Sequence, residues 1–137
     1  MKVFLDTNVI VDVLAAREPF YRDSQSVVSY CEHHRGAGCL SALTFCTAAY
    51  VLRKYLGKES LPEKMRQLRQ VFHVPPVTEA TVDWAIDAGL SDFEDAMQYE
   101  SAKSGATDVI VTRDKTGFIS SEIPVLTPSE FCQEHVS

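Results

Sequence analysis

Asp108-Val109-Ile110-Val111-Thr112-Arg113-Asp114 is the stretch that decides the fold. Val109, Ile110 and Val111 are β-branched and apolar without alternation, the pattern of a strand covered on both faces of a parallel sheet. Near the start, Lys2-Val3-Phe4-Leu5 is a second short apolar run. Val9, Ile10, Val13 and Leu14 recur at helical spacing behind it, so a helix follows the Asp6-Thr7-Asn8 turn. Strand followed by helix at both ends of the chain implies an α/β arrangement with a parallel sheet.

Between these ends the periodicity predicts further helices. One runs from Phe20 to about Arg35, with Val27, Val28 and Cys31 on one side, and Gly36-Ala37-Gly38 stops it before a very short strand at Cys39-Leu40. From Thr44 to Leu56 the chain is apolar nearly all round, which predicts an interior helix ended by Gly57. Ser60-Leu61-Pro62-Glu63 and Ser91-Asp92-Phe93-Glu94 both have capping-box spacing and open the next helices, the second reaching about Ser104. Val82, Ala85, Ile86 and Gly89 mark the inner face of a helix between them. His73-Val74-Pro75-Pro76-Val77 and Pro124-Val125-Leu126 each leave room for a strand. Thr127-Pro128-Ser129-Glu130 joins an N-cap, a proline at the first helical position and a glutamate three residues on. The expected fold is one three-layer α/β/α domain over residues 1–137, with a short, mostly parallel central sheet of about four or five strands.

The 137 residues, 45% hydrophobic and 23% charged, exclude a disordered, collagen-like or disulfide-stapled chain. No apolar run approaches the roughly 20 residues of a membrane span. The chain reaches Asp6 too soon for a signal-peptide core, so the expected compartment is the cytoplasm and no membrane partner is expected. Cys31, Cys39, Cys46 and Cys132 show no C-x-x-C spacing and read as reduced, mostly buried thiols rather than zinc ligands. Net charge is −6, unfavourable for general nucleic-acid binding, yet unevenly spread. Residues 53–69 carry six cations against two acids, and residues 78–114 nine acids against two cations. Solvated helix faces account for such runs; a metal–carboxylate site beside an anion-binding surface also suits them.

In a parallel sheet the chemistry gathers at the carboxyl ends of the strands. Asp6 ends the first strand, Asp114 follows the strongest one, and Asp95 lies in the first turn of the helix leading into it. Carboxylates brought together repel unless protonated or bound to a cation, and oxygen-only ligands favour Mg²⁺ or Mn²⁺. Each acid also has a structural reading. Asp6 suits an N-cap, Glu94 the third position of a capping box, Asp92 a helix dipole, and Asp12 a solvent-facing stripe one turn after Asn8.

With Phe4-Leu5-Asp6-Thr7-Asn8 at one end and Thr112-Arg113-Asp114 at the other, the sequence resembles the PIN-domain family. The segments 4–14, SALT at 41–44, DFEDAMQYESA at 92–102 and DVIVTRD at 108–114 carry the resemblance, in family order. It is closest to the bacterial PIN proteins found as toxins in toxin–antitoxin pairs. The resemblance implies Mg²⁺- or Mn²⁺-dependent endonucleolytic cleavage of RNA, with Asp6, Asp95 and Asp114 as catalytic metal ligands. Asn8 and Thr112 would support them, together with Glu94 and Asp12. It implies a 5′-phosphate and a 3′-hydroxyl as products, a homodimer, and a small antitoxin protein as partner. The family's second acid would fall at Thr47, which has no carboxylate. Substrate phosphates would meet Arg113 and Lys115 first, and Lys54, Lys58 and Arg66 of the basic segment second.

Two other functions fit parts of the chain. A PIN-like domain weakened at Thr47 would act as an RNA- or protein-binding module. A haloacid-dehalogenase-like phosphatase would use Asp6 as nucleophile, but has Asn8 where its second acid belongs. A dinucleotide-binding domain is excluded, because no glycine-rich turn follows the first strand.

Overall fold

Alternation of side chains along the strands divides the interior into two cores. In the computed structural model, which describes residues 1–89 and 92–136, five parallel strands lie in the order β3-β2-β1-β4-β5. They are β1 (Val3–Leu5), β2 (Gly38–Cys39), β3 (Phe72–His73), β4 (Val109–Val111) and β5 (Val125–Leu126). Val3 and Leu5 of β1 and Val109 and Val111 of β4 point into one core, with Val9, Val27, Leu40, Phe72 and Phe131. Phe4 and Ile110 point to the other, with Cys39, Ala102 and Phe118. Every residue of β1 and β4 is buried, as two-sided cover requires.

The helices form the outer layers. On the first face lie α1 (Thr7–Leu14), α2 (Tyr21–His33), α3 (Ala42–Leu52), α4 (Leu61–Val71) and α7 (Pro128–His135); α6 (Phe93–Ser104) covers the second, with α5 (Glu79–Asp87) packed against it. Gly38 is held to hydrogen by close packing, since a β-carbon there would stand 2.6 Å from Phe72 Cδ1. Among the described residues no helix is long and apolar enough to cross a membrane.

Several local expectations are corrected. The helix expected from Thr44 to Leu56 ends at Leu52, and only Thr44, Ala48 and Leu52 are buried along it. Leu43, Cys46 and Tyr50 stand exposed, so α3 is a surface helix with an apolar outer face. On α5 the buried pair is Thr81 and Ala85, whereas Val82, Trp84 and Ile86 face outward. Ser60 makes no side-chain cap, because its backbone is already helical. Ser91 lies outside the described residues. The cap of α6 is Asp92, whose carboxylate accepts from Asp95 N at 3.1 Å, so Glu94 is not a capping-box residue. The box at Thr127 forms as expected, with reciprocal bonds to Glu130. All four cysteines are free; burial pushes the Cys31 thiol up to about 12 and the Cys39 thiol to about 11. Cys46 is exposed and Cys132 half-buried.

Candidate active site

The central pairing of β1 with β4 puts Leu5 beside Val111, so Asp6 and Thr112 leave the sheet side by side. Asp6 N donates to Val111 O at 2.9 Å, which ties the two strand ends together before any side chain is considered. Asp6 then caps α1, its Oδ1 accepting from Thr7 N at 2.8 Å. The capping role expected for this residue is real, and it coexists with the site.

Thr112 links the two strand ends. Its buried hydroxyl donates to Asp6 Oδ2 at 2.8 Å and accepts from Asn8 Nδ2 at 3.4 Å and Asp114 N at 3.3 Å. One donated and two accepted bonds exhaust a hydroxyl. The Asn8 amide is oriented by its other end, because Oδ1 accepts from Arg113 N at 3.2 Å. Asn8 and Thr112 therefore fix Asp6 relative to the backbone of Asp114.

Asp114 caps the 3₁₀ turn Lys115–Phe118 and is exposed. Its Oδ1 accepts from Thr116 Oγ1 at 2.7 Å and Thr116 N at 3.0 Å, and these bonds hold its carboxyl below the usual range. Asp95 sits at the third position of α6, against Gly117 of the same 3₁₀ turn. Partial burial raises the Asp95 carboxyl to about 6, and repulsion from Asp92, Asp6, Glu94 and Asp114 adds to the rise. Asp6 and Asp114, 108 positions apart in sequence, thus both act on Asp95. Glu94 contributes charge to that edge from an exposed position.

The donor chemistry suits a hard divalent cation, being carboxylate oxygen throughout. The cage itself is not closed. Among the described residues no three His, Cys, Asp or Glu side chains group tightly enough to hold an ion as they stand. The Asp114 carboxylate is turned onto Thr116, on an exposed turn.

The remaining expectations resolve unevenly. Asp12 is wholly buried rather than solvent-facing, and lies 2.8 Å from Arg113 Nε, with the guanidinium 4.2 Å from the Phe20 ring centre. The contact is an ion pair, and neither Asp12 oxygen has another side-chain or backbone partner among the described residues. Burial raises the Asp12 carboxyl, and Arg113 and Arg17 oppose that rise. Lys115 Nζ pairs with Glu130 at 2.8 Å. Both cations expected to meet phosphate are thus engaged by acids of this chain. Thr47 returns its hydroxyl to Leu43 O at 3.4 Å within α3 and takes no part in the cluster.

Gln98 is the member that sequence reasoning missed. It is fully buried on α6, and its Nε2 lies 3.1 Å from Asp6 Oδ1, 3.0 Å from Thr7 Oγ1 and 3.3 Å from Thr44 Oγ1. Thr7 and Thr44 share a hydrogen bond of 2.8 Å. A glutamine three residues after Asp95 shares its helix face, which is the one signal that could have found it.

Residues 2–116 match the family model described as PIN domain. Ribonuclease VapC1 of Aquifex aeolicus (strain VF5) is 32% identical over 137 residues, covering 96% of this chain and 94% of the relative. Among solved structures, a toxin-antitoxin complex from Klebsiella pneumoniae superposes with a TM-score of 0.69 at 17% identity, over 93% of this chain and 98% of that one. DNA-bound VapBC from Salmonella typhimurium gives 0.68 at 19% identity, with 93% and 98% covered. These two likenesses carry the fold. The phosphatase alternative gives way to the family match, for the sequence similarity extends over nearly the whole length. The chain belongs to the PIN-domain family.

Proposed function

We propose that this protein is a divalent-metal-dependent endoribonuclease, and the toxin of a toxin–antitoxin pair. The observation that carries the reading is the Thr112 hydroxyl, which joins Asp6 to the Asp114 backbone, while burial first, and then the charges of Asp92, Asp6, Glu94 and Asp114, raise Asp95 beside them. Its 32% identity to a ribonuclease over nearly the whole chain supports RNA as the substrate.

In this reading Asp6, Asp95 and Asp114 hold Mg²⁺ or Mn²⁺, which when bound activates water and neutralises charge at the scissile phosphate. The chain's own residues do the positioning. Asn8, Thr112 and Gln98 hold the Asp6 carboxylate, Asp12 draws Arg113 inward and steadies the turn bearing Asp114, and Glu94 adds field at the rim. Arg113 and Lys115 remain candidates for phosphate only by exchanging Asp12 and Glu130 for the substrate. Of the second group, Lys58 is exposed, Lys54 lies over the Tyr50 ring at 5.0 Å, and Arg66 pairs with Glu63 at 3.6 Å. The outward apolar residues of α3 and α5 support pairing with a second copy and with a small antitoxin, since exposed apolar surface of this kind marks contact sites.

A second reading has an observation of its own. Thr47 brings no carboxylate and the acids do not close into a cage, which favours a domain that binds RNA or a protein without cutting. One experiment separates the two. Protein purified free of host nucleases should cleave RNA with Mn²⁺ and lose that cleavage in Asp6→Asn. No cleavage together with no Mn²⁺ binding would favour the binding module.

A further inference from the structure

A carboxylate has two oxygens, each with two acceptor directions. Asp6 Oδ1 spends both, on Thr7 N at 2.8 Å and Gln98 Nε2 at 3.1 Å. Asp6 Oδ2 spends one, on Thr112 Oγ1 at 2.8 Å. A single acceptor direction is left, and it belongs to Oδ2. The Gln98 amide cannot be reversed to relieve Oδ1, because its oxygen would then face a carboxylate oxygen at 3.1 Å. In the orientation that bonds Asp6, Gln98 Oε1 is buried with no partner among the described residues.

The three donors differ in origin. Thr7 N is the first amide of the helix that Asp6 caps, and Thr112 ends the neighbouring strand. Gln98 alone reaches Asp6 from α6, one turn after Asp95. It therefore ties one carboxylate of the cluster to the helix that carries another.

We propose that Gln98 is a positioning residue that makes Asp6 a one-oxygen ligand and thereby selects small octahedral cations over Ca²⁺. This rests on the nuclease reading of the same site. Ca²⁺ takes about 6–8 oxygens and accepts carboxylates through both, whereas Mg²⁺ and Mn²⁺ suit one oxygen from each carboxylate with water completing the shell. With Oδ1 saturated, two-oxygen binding of Ca²⁺ must break a hydrogen bond that one-oxygen binding of Mn²⁺ leaves intact.

The test is calorimetric titration of Mn²⁺ and of Ca²⁺ into RNA-free protein, with the metal-free melting temperature measured beside it. Gln98→Met keeps the length of the side chain and removes its N–H. The expected result is a fall of about tenfold in the preference for Mn²⁺ over Ca²⁺, carried by tighter Ca²⁺ binding. Gln98→Leu, which also lacks the donor and adds no charge, carries the same readout should Gln98→Met fail to fold. A purely structural role would weaken both ions by one factor along with the melting temperature; that result, or an unchanged preference, overturns the proposal and leaves the nuclease reading standing. Wild-type protein that takes up no Mn²⁺ overturns both.

Discussion

Asp6 and Asp114 leave neighbouring strands of one sheet, yet the chain holds them in opposite ways. Asp6 is buried and receives three hydrogen bonds from three elements, among them one from a helix about ninety residues away in sequence. Asp114 is exposed, and among the described residues its side chain bonds only within its own turn, to Thr116. The contrast teaches that the cluster has a fixed side and an adjustable side. In the proposed reading a fixed carboxylate costs little reorganisation when charge arrives, and an exposed one is the side that would turn to meet a cation.

The strongest way to break this comparison is to remove the fixed side. Asp6→Asn should lower RNA cleavage by more than about 100-fold, beyond the roughly 10–100-fold that loss of an outer-shell partner costs; a smaller loss in a steady-state assay would mean that Asp6 is no ligand. Next in size is the support beneath the adjustable side. Asp12→Ala leaves Arg113 unpaired and should destabilise the fold by about 2 kcal/mol in urea unfolding, less than a fully buried pair would, because a third of the Arg113 side chain reaches water.

A subtler change tests the contact between Asp95 and the turn that follows Asp114. A β-carbon on Gly117 would overlap Asp95 Oδ2 and stand 2.6 Å from its Cγ. Gly117→Ala should therefore push that carboxylate aside and cost roughly tenfold in cleavage, short of the roughly 100-fold that a 1 Å misplacement can cost. Asp95 also sharpens the comparison through pH. Its carboxyl stands at about 6 in the folded chain against 3.8 when free, so the folded state holds its proton more tightly. Metal-free stability is then unpenalised below about pH 3.8 and falls as pH rises towards 6. Asp95→Asn should stabilise the metal-free protein by about 1 kcal/mol at pH 7, after allowance for solvent screening, and by nothing measurable at pH 3.5. Least of all, Thr127→Ala should cost about 1 kcal/mol and Ser60→Ala nearly nothing, since only the first residue makes its cap. Equal losses in thermal unfolding would contradict the geometry of both.

Much of the frame was written in local chemistry. The β-branched run at 109–111 needs cover on two faces, and acids at strand exits in a parallel sheet meet by topology. Asp6 and Asp114 were therefore legible as neighbours without coordinates, and Asp95 was legible by its place in the first turn of the helix leading into β4. Gln98 was not, because a glutamine inside a helix looks like any polar residue until its depth is known. Arg113 and Lys115 read as phosphate contacts from their place beside Asp114, and the ion pairs that engage them show only in the fold: Asp12 lies about a hundred residues from Arg113, and Glu130 lies 15 from Lys115. The apolar girth of α3 predicted burial because composition does not distinguish a core helix from a surface helix with an apolar outer face.

The register of β1 on β4 has a last consequence, for timing. Asp6 is made early and Asp114 more than a hundred residues later, and no local hairpin can bring them together. Contacts of such separation form late, after the chain between them has been closed into a loop. A chain still on the ribosome carries the first carboxylate but not the cluster, so in the proposed reading synthesis itself delays cleavage until most of the polypeptide has emerged.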